Sequence, residues 1–270
     1  MTGPARKSSE PDFPWWLVIL CLIGVGLAIL IALDGLYAQL FATLAKGLGI
    51  TIYVALVAFT LASLVGLSVA LIGMSGNVVL RQIARFYVEV FRGIPVLVLL
   101  FYVAFVGAPA LVALINFAIA PLIELGIVET FLIRDFSLTW RAIIALTIAY
   151  SSFIAEIFRA GIQSVDEGQI DAAKALGLSR YNRFRLIILP QAVRTIFPAW
   201  SNDFIAMVKD SSLVSVLGVA DITQMAKVYA AGSFRFFETY SILAYIYLIL
   251  TIGLSIALRK LEAVMRNRAL

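Results

Sequence analysis

Histidine is missing from this 270-residue chain. That removes the commonest general base, the commonest metal ligand and the usual pH switch together. Cysteine occurs once, as Cys21 inside an apolar run, so neither a disulfide framework nor a thiolate metal site can be built. Charged residues make up only 14% of the chain, about half the usual share. No G-x-x-x-x-G-K-S/T string is present, so the chain carries no phosphate-cradling loop for ATP and Mg²⁺. There is no Ser–His pair, no internal repeat and no low-complexity segment. Enzymatic work would have to rest on unpaired carboxylates, so catalysis is not expected and no cofactor is assigned to this chain.

What remains is apolar. Hydrophobic residues reach 62% and the mean hydropathy is +1.01, well beyond a soluble domain. The composition predicts an all-α integral membrane protein. Residues 15–33 are charge-free and long enough to cross a hydrocarbon core of about 30 Å. They read as a retained N-terminal anchor, since the run exceeds a cleaved signal's apolar core. Further spans are expected at 49–74, 86–107, 138–160, 191–209 and 239–258. In the first of these, Ala58, Ala62, Gly66 and Ala70 recur every four residues, a stripe that admits a second helix closely. Gly93 and Pro95 predict either a helix break or a simple helix start. Residues 108–137, with Pro109 and Pro121, read as an outer interfacial hairpin or as an additional span.

Basic residues choose between those two. With six spans and a cytoplasmic N-terminus, fifteen of the 21 basic residues fall in inner segments. A seventh span would turn the basic cluster Arg180, Arg183 and Arg185 outward. The positive-inside rule therefore selects six spans, the hairpin, and both termini inside. The charge of +5 is then explained by orientation, and a nucleic-acid partner is not invoked.

The long interruption in the apolar pattern is DAAKALGLSRYNRFRLIILP, Asp171 to Pro190. Ile170, Ala173 and Leu176 share a helical stripe, and Gly177 stands where a helix would stop. Ser164 and Glu167 have capping-box spacing, and Ser179 is placed to cap a second helix ending at Pro190. Ala172 and Ala173 are expected at the surface of the first helix. This stretch resembles the cytoplasmic "EAA" loop of permease subunits of bacterial ABC importers. Asp171, Ala172, Ala173, Gly177, Ile187, Leu189 and Pro190 fill its pattern in register, with Asp171 replacing the usual glutamate. The strings FRGIP (91–95), AEIFRAGI (155–162) and KDSSL (209–213) are similar to the branch that imports polar amino acids.

The resemblance covers residues 45–262 and implies a type I permease. Its five-helix core is preceded here by the helix at 15–33 and flanked by tails at 1–14 and 263–270. The loop at 161–190 would carry the cytoplasmic coupling helix, with Asp171, Ala172, Ala173, Gly177, Leu189 and Pro190 as the ATPase contact. The resemblance also implies two ATPase subunits, an extracytoplasmic amino-acid-binding protein, and a second permease subunit, identical or not, in the cell inner membrane.

From the residues alone, polar groups within spans mark a candidate substrate path. They are Ser151, Glu156, Asn202, Asp203, Lys209 and Asp210. Asp203 and Asp210 lie seven apart on one face, and Glu156 and Arg159 have ion-pair spacing. Two other classes remain open on these residues. One is a secondary transporter coupled to ions through Glu156 or Asp203. The other is a structural subunit whose polar face is an assembly seam. Arg180, Arg183 and Arg185 face either an acidic ATPase surface or anionic membrane lipid.

Overall fold

The computed structural model describes residues 15–267; the expected tail at 1–14 and the end of the tail at 263–270 lie outside them. Helix α1 (Trp15–Leu33) is followed by α2 (Gly35–Ala45), started by the Asp34 side chain. Then come α3 (Leu48–Gly73) and α4 (Val78–Gly93). Helices α5 (Val96–Tyr102) and α6 (Ala108–Ala118) are joined by one wide π-turn, and α7 (Ala120–Glu124) is short. After α8 (Leu138–Gln163) come α9 (Glu167–Ala175) and α10 (Arg180–Arg183). A second π-turn joins α10 to α11 (Leu189–Asp210), and α12 (Ile222–Ser233) and α13 (Phe236–Asn267) complete the order. Among the described residues, four stretches are long and apolar enough to cross a membrane: Gly35–Gly73, Val96–Ala118, Leu138–Gln163 and Phe236–Met265.

The core is the seam between α3 and α8. The small-residue stripe does what its spacing predicts: Ala58, Ala62 and Ala70 are buried. A Cβ at Gly66 would stand 3.0 Å from the Ser151 carbonyl. Leu146, Tyr150 and Ile154 of α8 fill the gaps between them. Lipid chains are as apolar as leucine, so close van der Waals contact holds this seam together rather than exclusion of water.

Two corrections concern proline. The apolar stretch expected at 86–107 runs instead over Val96–Ala118. Residues 108–118 are its second half, so 108–137 is no hairpin; only 119–137 connect α6 to α8. Pro109 looked like a breaker because proline lacks an N–H and its ring strikes the carbonyl four residues back. Here Val103–Gly107 widen into a π-turn, and the Ala108 N–H reaches the Val103 carbonyl. That displaces the Phe105 carbonyl and lets the ring in. The same device precedes Pro190, where Phe184–Ile188 widen and the Leu189 N–H reaches the Phe184 carbonyl. Pro190 therefore does not stop the helix begun by Ser179; the helix runs on into α11. The break at Gly93–Pro95 is real, since Ile94 and Pro95 are extended (ψ 128° and 137°) between α4 and α5.

Side chains hold the connection from α6 to α8. Asn116 donates to the Phe131 carbonyl at 2.8 Å and accepts from its N–H at 2.9 Å. Arg141, buried near the start of α8, donates to the carbonyls of Phe136, Ala104 and Ile133.

A second cluster joins α2, α12 and α13 through Leu40, Leu44, Ile222, Ala226, Ile242 and Ile246. Asp221 caps α12, accepting from the Gln224 N–H at 2.8 Å, and is fully buried. Burial pushes its carboxyl above the usual carboxylate range, against the opposing pull of its hydrogen bonds to Gln224 and Thr223. A carboxyl raised in the folded state stabilises the fold fully below its unfolded pKa, and that contribution is lost as pH rises through the folded value. Asp221→Asn keeps the cap. It is expected to raise the melting temperature at neutral pH, with the difference vanishing below about pH 4. Thermal melts of detergent-solubilised protein across pH check this; a pH-independent difference would refute it.

Candidate functional site

The protruding stub is α9. Its N-cap is Asp166, which accepts from the Gln169 N–H at 3.2 Å, and not Ser164. Ser164 instead bonds the Gly161 carbonyl and Thr195. The helix closes as the sequence predicts. Gly177 has φ +72°, the Leu178 N–H bonds the Ala173 carbonyl at 3.1 Å, and the Gly177 N–H bonds the Lys174 carbonyl at 2.9 Å. This paired closure satisfies two of the carbonyls a helix end leaves open. Ser179 then caps α10, accepting from the Asn182 N–H.

Asp171 and Ala172 are exposed, while Ala173 is buried against the chain's own body, contrary to its expected surface place. The 171–174 turn is clipped by an Asp171–Lys174 ion pair at 2.7 Å. The Lys174 ammonium holds the Asp171 carboxyl below the usual carboxylate range. Leu176 projects with 81% of its surface free, and Tyr181, Leu186, Leu189 and Pro190 are exposed as well. The stub is fastened to the bundle where Gln191 of α11 donates to Gln169 of α9 at 2.6 Å.

The polar residues of the spans do not converge on one place. Asp203 and Asp210 of α11 do share a face, turned toward α8. The buried Tyr150 hydroxyl donates to Asp210 at 2.8 Å, whereas Asp203 Oδ2 is buried with no hydrogen-bond partner among the described residues. Asn202 lies on another face and lines, with Ser201, Ser255 and Arg259, a cleft of about 290 Å³ between α11 and α13. Lys209 is exposed, seven residues beyond Asn202 on the same helix. Ser151 is fully buried, its hydroxyl 2.7 Å from that of Tyr87. Glu156 and Arg159 form a two-pronged ion pair.

Tyr87 and Tyr150 are functional candidates that spacing does not reveal. Their partners stand 64 and 60 residues away in sequence. The same holds for Trp200, which donates to Ser63 at 2.9 Å and packs against Phe59 with the rings tilted at 53°. A lone tyrosine in an apolar run is the only cue, and it is a weak one.

The family described as "Binding-protein-dependent transport system inner membrane component" matches residues 62–267. The chain is 38% identical over 216 residues to the probable amino-acid permease protein YxeN of Bacillus subtilis (strain 168), covering 80% of this chain and 88% of that one. It is 37% identical over 212 residues to the octopine transport system permease protein OccM of Rhizobium radiobacter, covering 78% and 81%. Its fold is similar to one in the crystal structure of an amino acid ABC transporter with histidines. There the TM-score is 0.68 at 36% identity, over 84% of this chain and 94% of that one. The MetNI methionine ABC transporter, at 19% identity and a TM-score of 0.61, shares the fold over 82% and 95% of the two chains.

Proposed function

Because the chain belongs to the family of binding-protein-dependent transport system inner membrane components, we propose that it forms the translocation path of an ATP-driven importer for polar amino acids. It is a transport subunit, and ATP is hydrolysed by a separate chain. The amino-acid and octopine permeases it resembles support this substrate class. In this reading the α9 end faces the cytoplasm and docks on one of two ATPases. An extracytoplasmic amino-acid-binding protein delivers to the α12 end, and a second permease subunit completes the path in the cell inner membrane.

The continuity of α10 with α11 carries the coupling reading. Both Gln191, which fastens the stub, and Asp203 and Asp210, on the polar face, belong to α11. A push on α9 therefore moves the polar face as one rod, with Pro198 as its single interior weak point. Asp171, Ala172, Gly177 and the exposed Leu189–Pro190 segment form the contact, and Ala173 anchors it from behind. Asp203, Asp210 and the Glu156–Arg159 pair border the path.

The complex in proteoliposomes, with its ATPase and binding protein, tests this. Uptake of labelled polar amino acids is expected to require enclosed ATP and the binding protein, and to ignore a proton gradient. Uptake driven by the gradient alone would favour an ion-coupled carrier and end the proposal.

A further inference from the structure

A cleft of about 700 Å³ opens at the α9 end between α3, α4 and α8. Arg81, Arg85, Glu89 and Arg92 of α4 line it, facing Glu156 and Arg159 of α8. The two α8 groups neutralise each other. Among the described residues, Arg81, Arg85 and Arg92 have no carboxylate within 4.0 Å, and neither does Glu89 a cation. Arg92 instead lies over the Phe153 ring, 5.7 Å from its centre. The cleft thus holds an excess of unpaired positive charge beside low-dielectric walls, an arrangement that favours a bound anion.

Helix α4 also has a second face. Val79, Ile83 and Phe86 stand exposed at 66%, 58% and 70%. A helix with guanidinium groups on one side and bare apolar groups on the other lies at a membrane surface. Arg81 and Arg85 are four apart, so their forks project side by side from one face. Two such forks match a phosphate's oxygens. Val69, Ala70 and Val88 line the same cleft, so the ligand that fits has an apolar part as well.

We propose that this cleft is a binding site for an anionic phospholipid, its phosphate seated between Arg81 and Arg85 and its chains along Val69, Ala70 and Val88. The site would fix the lipid level of α4 next to the Gly93–Pro95 break. It rests on the chain being membrane-embedded and on neither the solute carried nor the energy source.

The full chain, purified in detergent with a mixture of phosphatidylglycerol and phosphatidylcholine, is examined by native mass spectrometry for retained lipid. Retention of phosphatidylglycerol over phosphatidylcholine is expected. Arg81→Gln/Arg85→Gln is expected to lower it roughly tenfold or more, and Arg81→Lys/Arg85→Lys to restore part of it. Equal retention of the two lipids, or equal retention by wild type and the glutamine variant, overturns the site. Displacement of the lipid by millimolar inorganic phosphate makes it a free-anion site, and displacement by a polar amino acid makes it part of the solute path. Either result overturns the lipid assignment. Loss of ATP-dependent uptake by the wild type would instead count against the importer reading alone.

Discussion

Gly177→Val is expected to cut coupled import at least tenfold while the chain remains in the membrane at its normal level. A Cβ at Gly177 meets nothing within 4 Å, so crowding is not the obstacle. The obstacle is φ +72°, a region that costs an ordinary residue roughly 1–2 kcal/mol and a β-branched one more. Relief comes by swinging φ negative. That breaks the Leu178–Ala173 and Gly177–Lys174 backbone bonds which close α9. The penalty is too small to unfold a chain whose core lies elsewhere, along α3 and α8. It is enough to shift the exposed Leu176 and Tyr181 beside the proposed ATPase contact. Gly177→Asn is expected to retain much of the uptake, because asparagine enters this conformation readily. Assays of uptake and of ATP hydrolysis by the same proteoliposomes separate the outcomes. Hydrolysis that continues without import is the expected signature, and normal import by the valine variant would exclude a coupling role for the turn.

Asp203→Leu is expected to move stability and transport in opposite directions. Oδ2 of Asp203 is buried and makes no hydrogen bond to any described residue. A buried polar group left unpaired costs about 1–3 kcal/mol, so an apolar replacement of similar size should raise the melting temperature by a few degrees. Neighbouring Asp210 does not share this property, since Tyr150 satisfies it. If Asp203 meets the carried solute, uptake should fall tenfold or more with complex assembly intact. Asp203→Asn, similar in shape but uncharged, should lose uptake with little gain in stability. Dissociation of the complex would assign Asp203 to an assembly seam. Unchanged uptake would remove it from the path altogether.

Local chemistry was legible where it depended on neighbours in the chain. The glycine turn at Gly177, the Ser179 cap and the small-residue stripe of α3 all act within one helix or at its end. Reading failed where a local rule had a local exception. Pro109 and Pro190 read as ends of helices in the sequence because the π-turns that accommodate them leave no mark in composition. Ser164 lost the cap to Asp166 two residues later, since both are good N-cap residues and spacing cannot rank them. Ala173 was expected outside because an alanine on a short helix fits either face.

Composition and charge distribution determined by themselves that the chain is a helical membrane protein, and the register of Asp171 to Pro190 determined its family. These are additive or short-range properties: apolar length, charge counts, and residues a few positions apart. Only the tertiary structure decided that Tyr150 meets Asp210, that Asp203 Oδ2 finds no partner among the described residues, and that Arg81, Arg85 and Arg92 share one cleft. Those facts depend on which faces of helices distant in sequence are pressed together. In lipid that choice is made by the fit of side chains, which no helical periodicity encodes.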